Sequence, residues 1–143
     1  MSENSITLQV GVKALLKNKE GKFLFVRRNP IKYPEVGPKW DIVGGRIDPG
    51  STLMENLRRE VMEEVKLELK NDPKLVAAQD ILRVPGRHVV RLTFVGTIDG
   101  EPQLDSDHME FKWFTLGELK ELTREVLDVY FKDLLDNGLF DSI

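Results

Sequence analysis

The chain has 143 residues, 41% of them hydrophobic and 31% charged, which suits one soluble domain, 1–143, with one real core. A formal net charge of −3 supplies no basic excess of the kind that broad nucleic-acid or membrane binding favours. There is no cysteine and there are two histidines, so disulfides and cysteine-based zinc or redox sites are excluded and a histidine-rich metal site is disfavoured.

No apolar run approaches the roughly 20 residues that a membrane helix needs. The start, MSENSITLQV, has neither the basic region nor the apolar block of a signal peptide, so a cytoplasmic protein is expected. From Ile6 to Lys17 the apolar residues Ile6, Leu8, Val10 and Val12 alternate, which predicts a strand. Asn18–Lys22 reads as a turn, with Gly21 able to take positive φ. FLFVRR, Phe23–Arg28, is a second strand, expected to close a hairpin with the first. Asn29–Lys39 carries three prolines and a glycine and reads as a long surface loop. A short strand, Trp40–Val43, leads to Gly44-Gly45, read as a glycine turn.

Thr52 followed by Glu55 is a capping box, so a helix should begin near Leu53, with Leu53, Leu57, Val61 and Val65 as its apolar stripe. KLVAAQDILRV and HVVRLTFVGTI are strand candidates on either side of a turn at Val84–Arg87, and Phe111–Phe114 is a further short strand. Helical spacing returns at Leu127, Tyr130, Phe131, Leu134 and Leu135 and ends at Asn137-Gly138. Strands, helix, strands, helix imply a mixed α/β layered domain with helices covering a sheet.

The chemistry concentrates in GGRIDPGSTLMENLRREVMEEV, Gly44–Val65. Glu60 stands three residues from Glu63 and four from Glu64, so one side of the helix gathers all three acids. Like charges so placed repel by a few tenths of a kcal/mol per pair. Arg58 and Arg59 relieve part of this, and a hard divalent cation would relieve more, because carboxylate oxygens are its preferred ligands. An acidic helix by itself is a solvated face. The glycine pair and the DPG loop ahead of it allow close backbone approach to a ligand, which favours a site for metal-bound phosphates.

The segment Gly45–Leu67 resembles the signature of the Nudix hydrolases. Gly45 takes the first glycine, Arg59 and Glu60 the Arg-Glu pair, Val61 the aliphatic position, Glu63 and Glu64 the Glu-Glu pair, and Leu67 the last aliphatic. Trp40 before the glycines and EFKWFTLGEL downstream are also similar to the family, and the resemblance spans Ile6 to the C-terminal helix. It implies an α/β/α sandwich with a mixed sheet between helices. It also implies hydrolysis of a diphosphate bond in a nucleoside diphosphate linked to another group, with Mg2+ as cofactor and Mn2+ as the alternative. Glu60, Glu63, Glu64 and the Gly45 carbonyl would be metal ligands, with Glu60, Glu63 and Arg59 the catalytic set. A later acid often completes the site in the family. Asp105, Asp107 and Glu110 are the candidates here, and Glu110 is preferred. Arg27, Arg28 and Arg46 are candidates for phosphate contact, and strand alternation lets only one of Arg27 and Arg28 reach the site. The substrate-binding set is therefore Arg28, Arg46 and Tyr33, with Tyr33 or Trp40 available to stack on a base. His88 reads as a strand residue, and Tyr130 and Phe131 as helix core.

Three positions depart from the signature: Ser51 replaces its first glutamate, Lys66 its glycine, and Val43 the proline often found before the glycine pair. The resemblance implies that the missing glutamate supports the box arginine, so Ser51 puts the orientation of Arg59 in question more than the metal site. Lys66 is expected only to lengthen the helix. The expected partner is a small nucleotide, either a triphosphate or an ADP-ribose-like compound, for which Pro85 is weak support. The expected product is a nucleoside monophosphate, and no nucleic-acid or membrane partner is expected. Dimers are common in the family, so a homodimer is an available assembly. Two other classes stay open: a catalytically weak Nudix-fold nucleotide-binding or regulatory module, and a calcium-binding structural domain, which would need the alternating oxygen ligands of a calcium loop.

Overall fold

The computed structural model describes residues 5–31 and 39–143, and Tyr33 lies outside them. Ten elements follow in chain order: β1 (Thr7–Lys17), β2 (Phe23–Arg28), β3 (Trp40–Asp41), β4 (Val43–Arg46), α1 (Leu53–Val65), β5 (Lys74–Ile81), β6 (Arg87–Thr97), β7 (His108–Phe114), α2 (Leu116–Glu121) and α3 (Val129–Asp136). The sheet runs β3-β2-β1-β6-β5, with β4 added to β1 and β7 to β2. β1 and β6 are parallel from Thr7↔Arg87 to Lys17↔Thr97, while β5–β6, β2–β7, β2–β3 and β1–β4 are antiparallel. This mixed sheet between helices is an α/β/α sandwich, as the resemblance implies.

Alternation along the strands makes two cores. Val12, Ala14, Leu16, Leu24 and Val26 face α1 and meet its Leu57, Val61 and Val65. Leu15, Phe23 and Phe25 face the other way and meet Leu119, Leu127, Phe131 and Leu135. Each fully buried aliphatic side chain stabilises the fold by about 1.5–3 kcal/mol relative to exposure. The stripe on α1 is narrower than expected at its start: Leu53 is 38% exposed, and Asn56 takes the buried position instead.

The expected hairpin forms. Asn18 Oδ1 accepts from the Glu20 and Lys22 amides, and Gly21 has φ 77°. Its strands share only the register pair Lys17↔Phe23 before they diverge. That divergence leaves the edge of β1 open to β4. The chain therefore changes partner at Ile42: Trp40–Asp41 pairs with β2, and Val43–Arg46 pairs with β1. The glycine pair is thus part of a strand rather than a turn. Gly44 has φ 143°, and a Cβ there would stand 2.0 Å from the Val12 carbonyl oxygen.

Lys66 does not lengthen α1. It is the C-cap, at φ 60° and ψ 34°, with its amide donating to the Met62 carbonyl. It is the one non-glycine residue with positive φ among the described residues. Its ammonium lies 2.6 Å from the Glu63 carbonyl oxygen and so caps the helix end as well. A residue with a side chain therefore adopts the conformation that a glycine takes readily. The C-terminal helical spacing gives α3, and a separate short helix, α2, precedes it. Thr115 and Glu118 form a capping box at α2, and Asp128 caps α3 by accepting from the Phe131 amide at 2.9 Å.

Candidate active site

The helix α1 sets its acids at three depths. The side chain of Glu64 is 7% exposed, that of Glu60 14% and that of Glu63 57%. This gradient follows from the position of each residue relative to the buried Val61–Val65 edge. Glu60 lies against β4: a Cβ on Gly45 would stand 2.6 Å from Glu60 Oε2, so this carboxylate rests where only glycine leaves room. Glu64 Oε2 accepts from the Gly44 amide at 2.6 Å. The two glycines therefore bring strand backbone directly onto two of the three acids.

Charge at the site is incompletely met. Burial pushes Glu64 up to about 8, and nearby Glu60 and Asp105 add to the rise against Lys13 and the Gly44 amide. Burial also raises Glu60, with Glu63 adding to the rise and Arg59 opposing it. Arg59 Nη1 lies 3.0 Å from Glu60 Oε1 and 3.3 Å from both oxygens of Glu63. Arg58 turns away to Asp72 at 2.9 Å. Arg59 is nevertheless held without a glutamate at position 51, because its Nη2 lies 2.9 Å from Asn56 Oδ1 and 3.5 Å from Asp48 Oδ2.

Among the described residues no three His, Asp or Glu side chains stand closed into a metal cage. The donors at hand are nonetheless all oxygen, and a buried carboxyl with a raised pKa gains most from a nearby cation. The Arg59 guanidinium already bridges Glu60 and Glu63 as a cation would. The residues present thus fit a hard divalent ion once Glu63 and the guanidinium adjust.

Of the later acids, Asp105 comes to the box. Its amide donates to the Glu64 carbonyl at 3.2 Å, and its Oδ1 lies 2.7 Å from His108 Nδ1. His108 is 8% exposed, and its Nε2 lies 3.4 Å from Glu64 Oε1. Sequence reasoning missed this histidine, although its place three residues after Asp105 was a usable signal. Glu110, the preferred acid, pairs instead with Arg27 at 2.5 Å. Arg27 also packs on Trp40, on the sheet face that carries α3. Alternation sends Arg28 to the opposite face, where its register partner is His108. Arg46 follows Gly45 and is exposed. Partial burial lowers its pKa, as does repulsion from Arg87, Arg28 and Arg83, and an anion would relieve this repulsion. Trp40 packs edge-on against Phe114, Phe131 is core, Tyr130 is half-buried, and His88 pairs with Asp80 at 2.7 Å. The surface grooves at the β1–β2 turn, lined by Lys19 and Asp99 among others, contain none of the box residues.

Comparison with known proteins agrees with this geometry. The family profile described as NUDIX domain matches residues 7–134. A Bacillus subtilis protein named "Putative 8-oxo-dGTP diphosphatase" is 30% identical over 112 residues, which cover 76% of this chain and 68% of the relative. A Mycobacterium tuberculosis protein named "Putative 8-oxo-dGTP diphosphatase 2" is 29% identical over 92 residues, 64% of each chain. The match therefore spans just under two thirds of the mycobacterial relative. Among solved structures, the MutT protein of Methanosarcina mazei Go1 superposes with TM-score 0.79 at 25% identity, covering 96% of this chain and 95% of that one. A MutT NUDIX hydrolase from Burkholderia pseudomallei gives 0.72 at 24% identity, with 91% and 97% covered. A profile match over nearly the whole chain, with the box acids gathered on α1 against the glycine strand, makes this chain a member of the Nudix family.

Proposed function

We propose that this chain is a divalent-metal-dependent pyrophosphohydrolase. It splits the diphosphate of a nucleoside triphosphate or related nucleoside diphosphate derivative and releases a nucleoside monophosphate. The observation that carries this reading is the placement of Glu60 and Glu64 against the backbone of Gly44 and Gly45, one of them buried with its pKa pushed up to about 8. Oxygen ligands and Mg2+-type chemistry go together, and a bound Mg2+ or Mn2+ supplies neutralisation of diphosphate charge and acidification of water. Glu60, Glu63, Glu64 and the Gly45 carbonyl would hold it, with Asp105 as the later acid nearest the box.

Water adds to one phosphorus, the bridging P–O bond breaks, and the other phosphate leaves. Glu63, the most exposed of the three acids, would take the proton of the attacking water. Arg28 and Arg46 would serve as phosphate contacts, and the mutual repulsion that adds to burial in lowering the Arg46 pKa supports an anion there. Glu110 is proposed as a partner of Arg27 rather than as a ligand.

The relatives' names put 8-oxo-dGTP first among the substrates to try. The test is release of phosphate, pyrophosphate and nucleoside monophosphate from a panel: ordinary and 8-oxo triphosphates, ADP-ribose, sugar nucleotides and dinucleoside polyphosphates, with and without Mg2+. Glu64→Gln should lose about a hundredfold or more of the turnover, since even indirect partners of metal ligands cost 10–100-fold. Tight nucleotide binding without metal-dependent turnover would overturn the enzyme reading and favour a binding module.

A further inference from the structure

Arg59 has two competing sets of partners. Its Nη1 lies on Glu60 and Glu63, the acids proposed to hold a cation. Its Nη2 lies on Asn56 Oδ1 at 2.9 Å and near Asp48 Oδ2 at 3.5 Å. A guanidinium that closed fully on the first set would neutralise the charge that the cation needs.

Asn56 is built to hold the second set in place. It is 1% exposed, and its side chain is fully used. Oδ1 accepts from the Asp48 amide at 2.8 Å as well as from Arg59. Nδ2 donates to the Thr52 carbonyl at 2.8 Å and the Ser51 carbonyl at 3.2 Å. Two acceptor sites and two donor hydrogens are thus all paired. Asparagine is a mediocre residue inside a helix, and a buried one is stable only with its partners complete. The three backbone contacts fix Oδ1 to the loop ahead of α1, so it cannot follow the guanidinium toward the acids. A neutral amide also restrains a cation without adding another negative charge beside Glu60.

We infer that Asn56 is a positioning residue that pins Arg59 by its Nη2 edge, so that only Nη1 reaches Glu60 and Glu63 and a divalent cation can displace it. The inference rests on the metal-site reading of the box. It assigns to Asn56 and the nearby Asp48 the support of Arg59 that Ser51 does not supply.

The experiment is a titration with Mn2+ alone, without nucleotide, following the free-ion magnetic resonance signal, with melting temperatures measured in parallel. Wild type, Asn56→Ala, Arg59→Ala and the double variant form a cycle. Asn56→Ala should weaken Mn2+ binding about tenfold, the scale of a lost hydrogen bond to a charged group. Arg59→Ala should bind at least as tightly as wild type, and adding Asn56→Ala to it should change nothing further. An equal loss in both backgrounds would overturn the inference, because Asn56 would then act through the fold alone. The melting temperatures guard against a misfolded alanine variant: weakened Mn2+ binding by an Asn56→Ala protein that still melts cooperatively supports pinning, and weakening that appears only with unfolding opposes it. If wild type itself binds no Mn2+, the metal reading fails and takes this inference with it. If wild type binds Mn2+ but the cycle shows no coupling, only this inference fails.

Discussion

Two groups of enclosed carboxylates lie on opposite sides of one sheet, and they differ in how their charge is met. Toward α3, Arg91 Nη2 lies 3.0 Å from Asp41 and its Nη1 3.2 Å from Asp128, while Lys13 lies 3.3 Å from Asp41. Two acids there have two cations, although burial and the neighbouring Asp41 still raise the Asp128 pKa. Burial pushes the Asp41 carboxyl up, but Arg91 and Lys13 outweigh it and hold the group below the usual carboxylate range. Toward α1, Glu60 and Glu63 share one half-exposed Arg59, and Glu64 has the Gly44 amide, His108 and the field of Lys13, which is already paired with Asp41. Glu64 ends well above the usual range. The group toward α3 is largely completed within the chain, whereas the group on α1, proposed to hold a cation, is left short of positive charge.

The sharpest way to break this comparison is to remove one cation from each side. Arg91→Met leaves Asp41 and Asp128 without their shared partner and should cost about 3–5 kcal/mol in urea unfolding. Arg59→Met should cost roughly 1 kcal/mol or less, because its pairs are partly solvated. Similar losses from the two would mean that both groups are structural.

Next in size is the pH dependence of Glu64. Its folded pKa lies above the ordinary value of 4.5, so the folded chain holds the extra proton between 4.5 and about 8. The stability of the metal-free protein therefore falls as pH rises through that window. Glu64→Gln cannot ionise and should gain stability over wild type as pH rises through this window, at most by roughly 1.4 kcal/mol per pH unit. The advantage should shrink toward pH 5. Thermal melts in chelator across this range check it, and a constant difference would remove the unmet charge from the account.

A smaller effect is expected where α1 ends. Lys66→Gly relieves the left-handed backbone but loses the ammonium contact with the Glu63 carbonyl. The net gain should be about 0.5–1 kcal/mol, read as a higher melting temperature. The smallest effect belongs to Ser51→Glu. Arg59 is already held by Asn56 and Asp48, so stability and turnover should rise slightly or stay level, within about 0.5 kcal/mol. A large loss of turnover would show that Ser51 has a role of its own.

Much of this was legible in the chain itself. The capping box at Thr52, the turn at Asn18–Lys22 and the alternation in β1 depend on neighbours a few residues apart, and each appears as expected. The acids of α1 were legible for the same reason, since helical spacing fixes their mutual direction. Lys66 was misread because a helix end is decided by whether one residue can take positive φ, and lysine does so here with a side-chain contact in support. Glu110 was preferred over Asp105 on position alone. A strand sends alternate residues to opposite faces, and Arg27 across the ladder takes Glu110.

Most of the elements, the box and the family could be read from the chain alone, because these rest on short-range periodicity and on residue identity at fixed spacing. Which charges meet depends instead on how distant strands pair. Gly44 and Gly45 touch Glu64 and Glu60 because β4 joins β1 beside the helix, and His108 reaches Glu64 because β7 pairs with β2. Such contacts bridge 15 to 44 positions along the chain, and burial then sets their electrostatics by removing the water that would otherwise screen them.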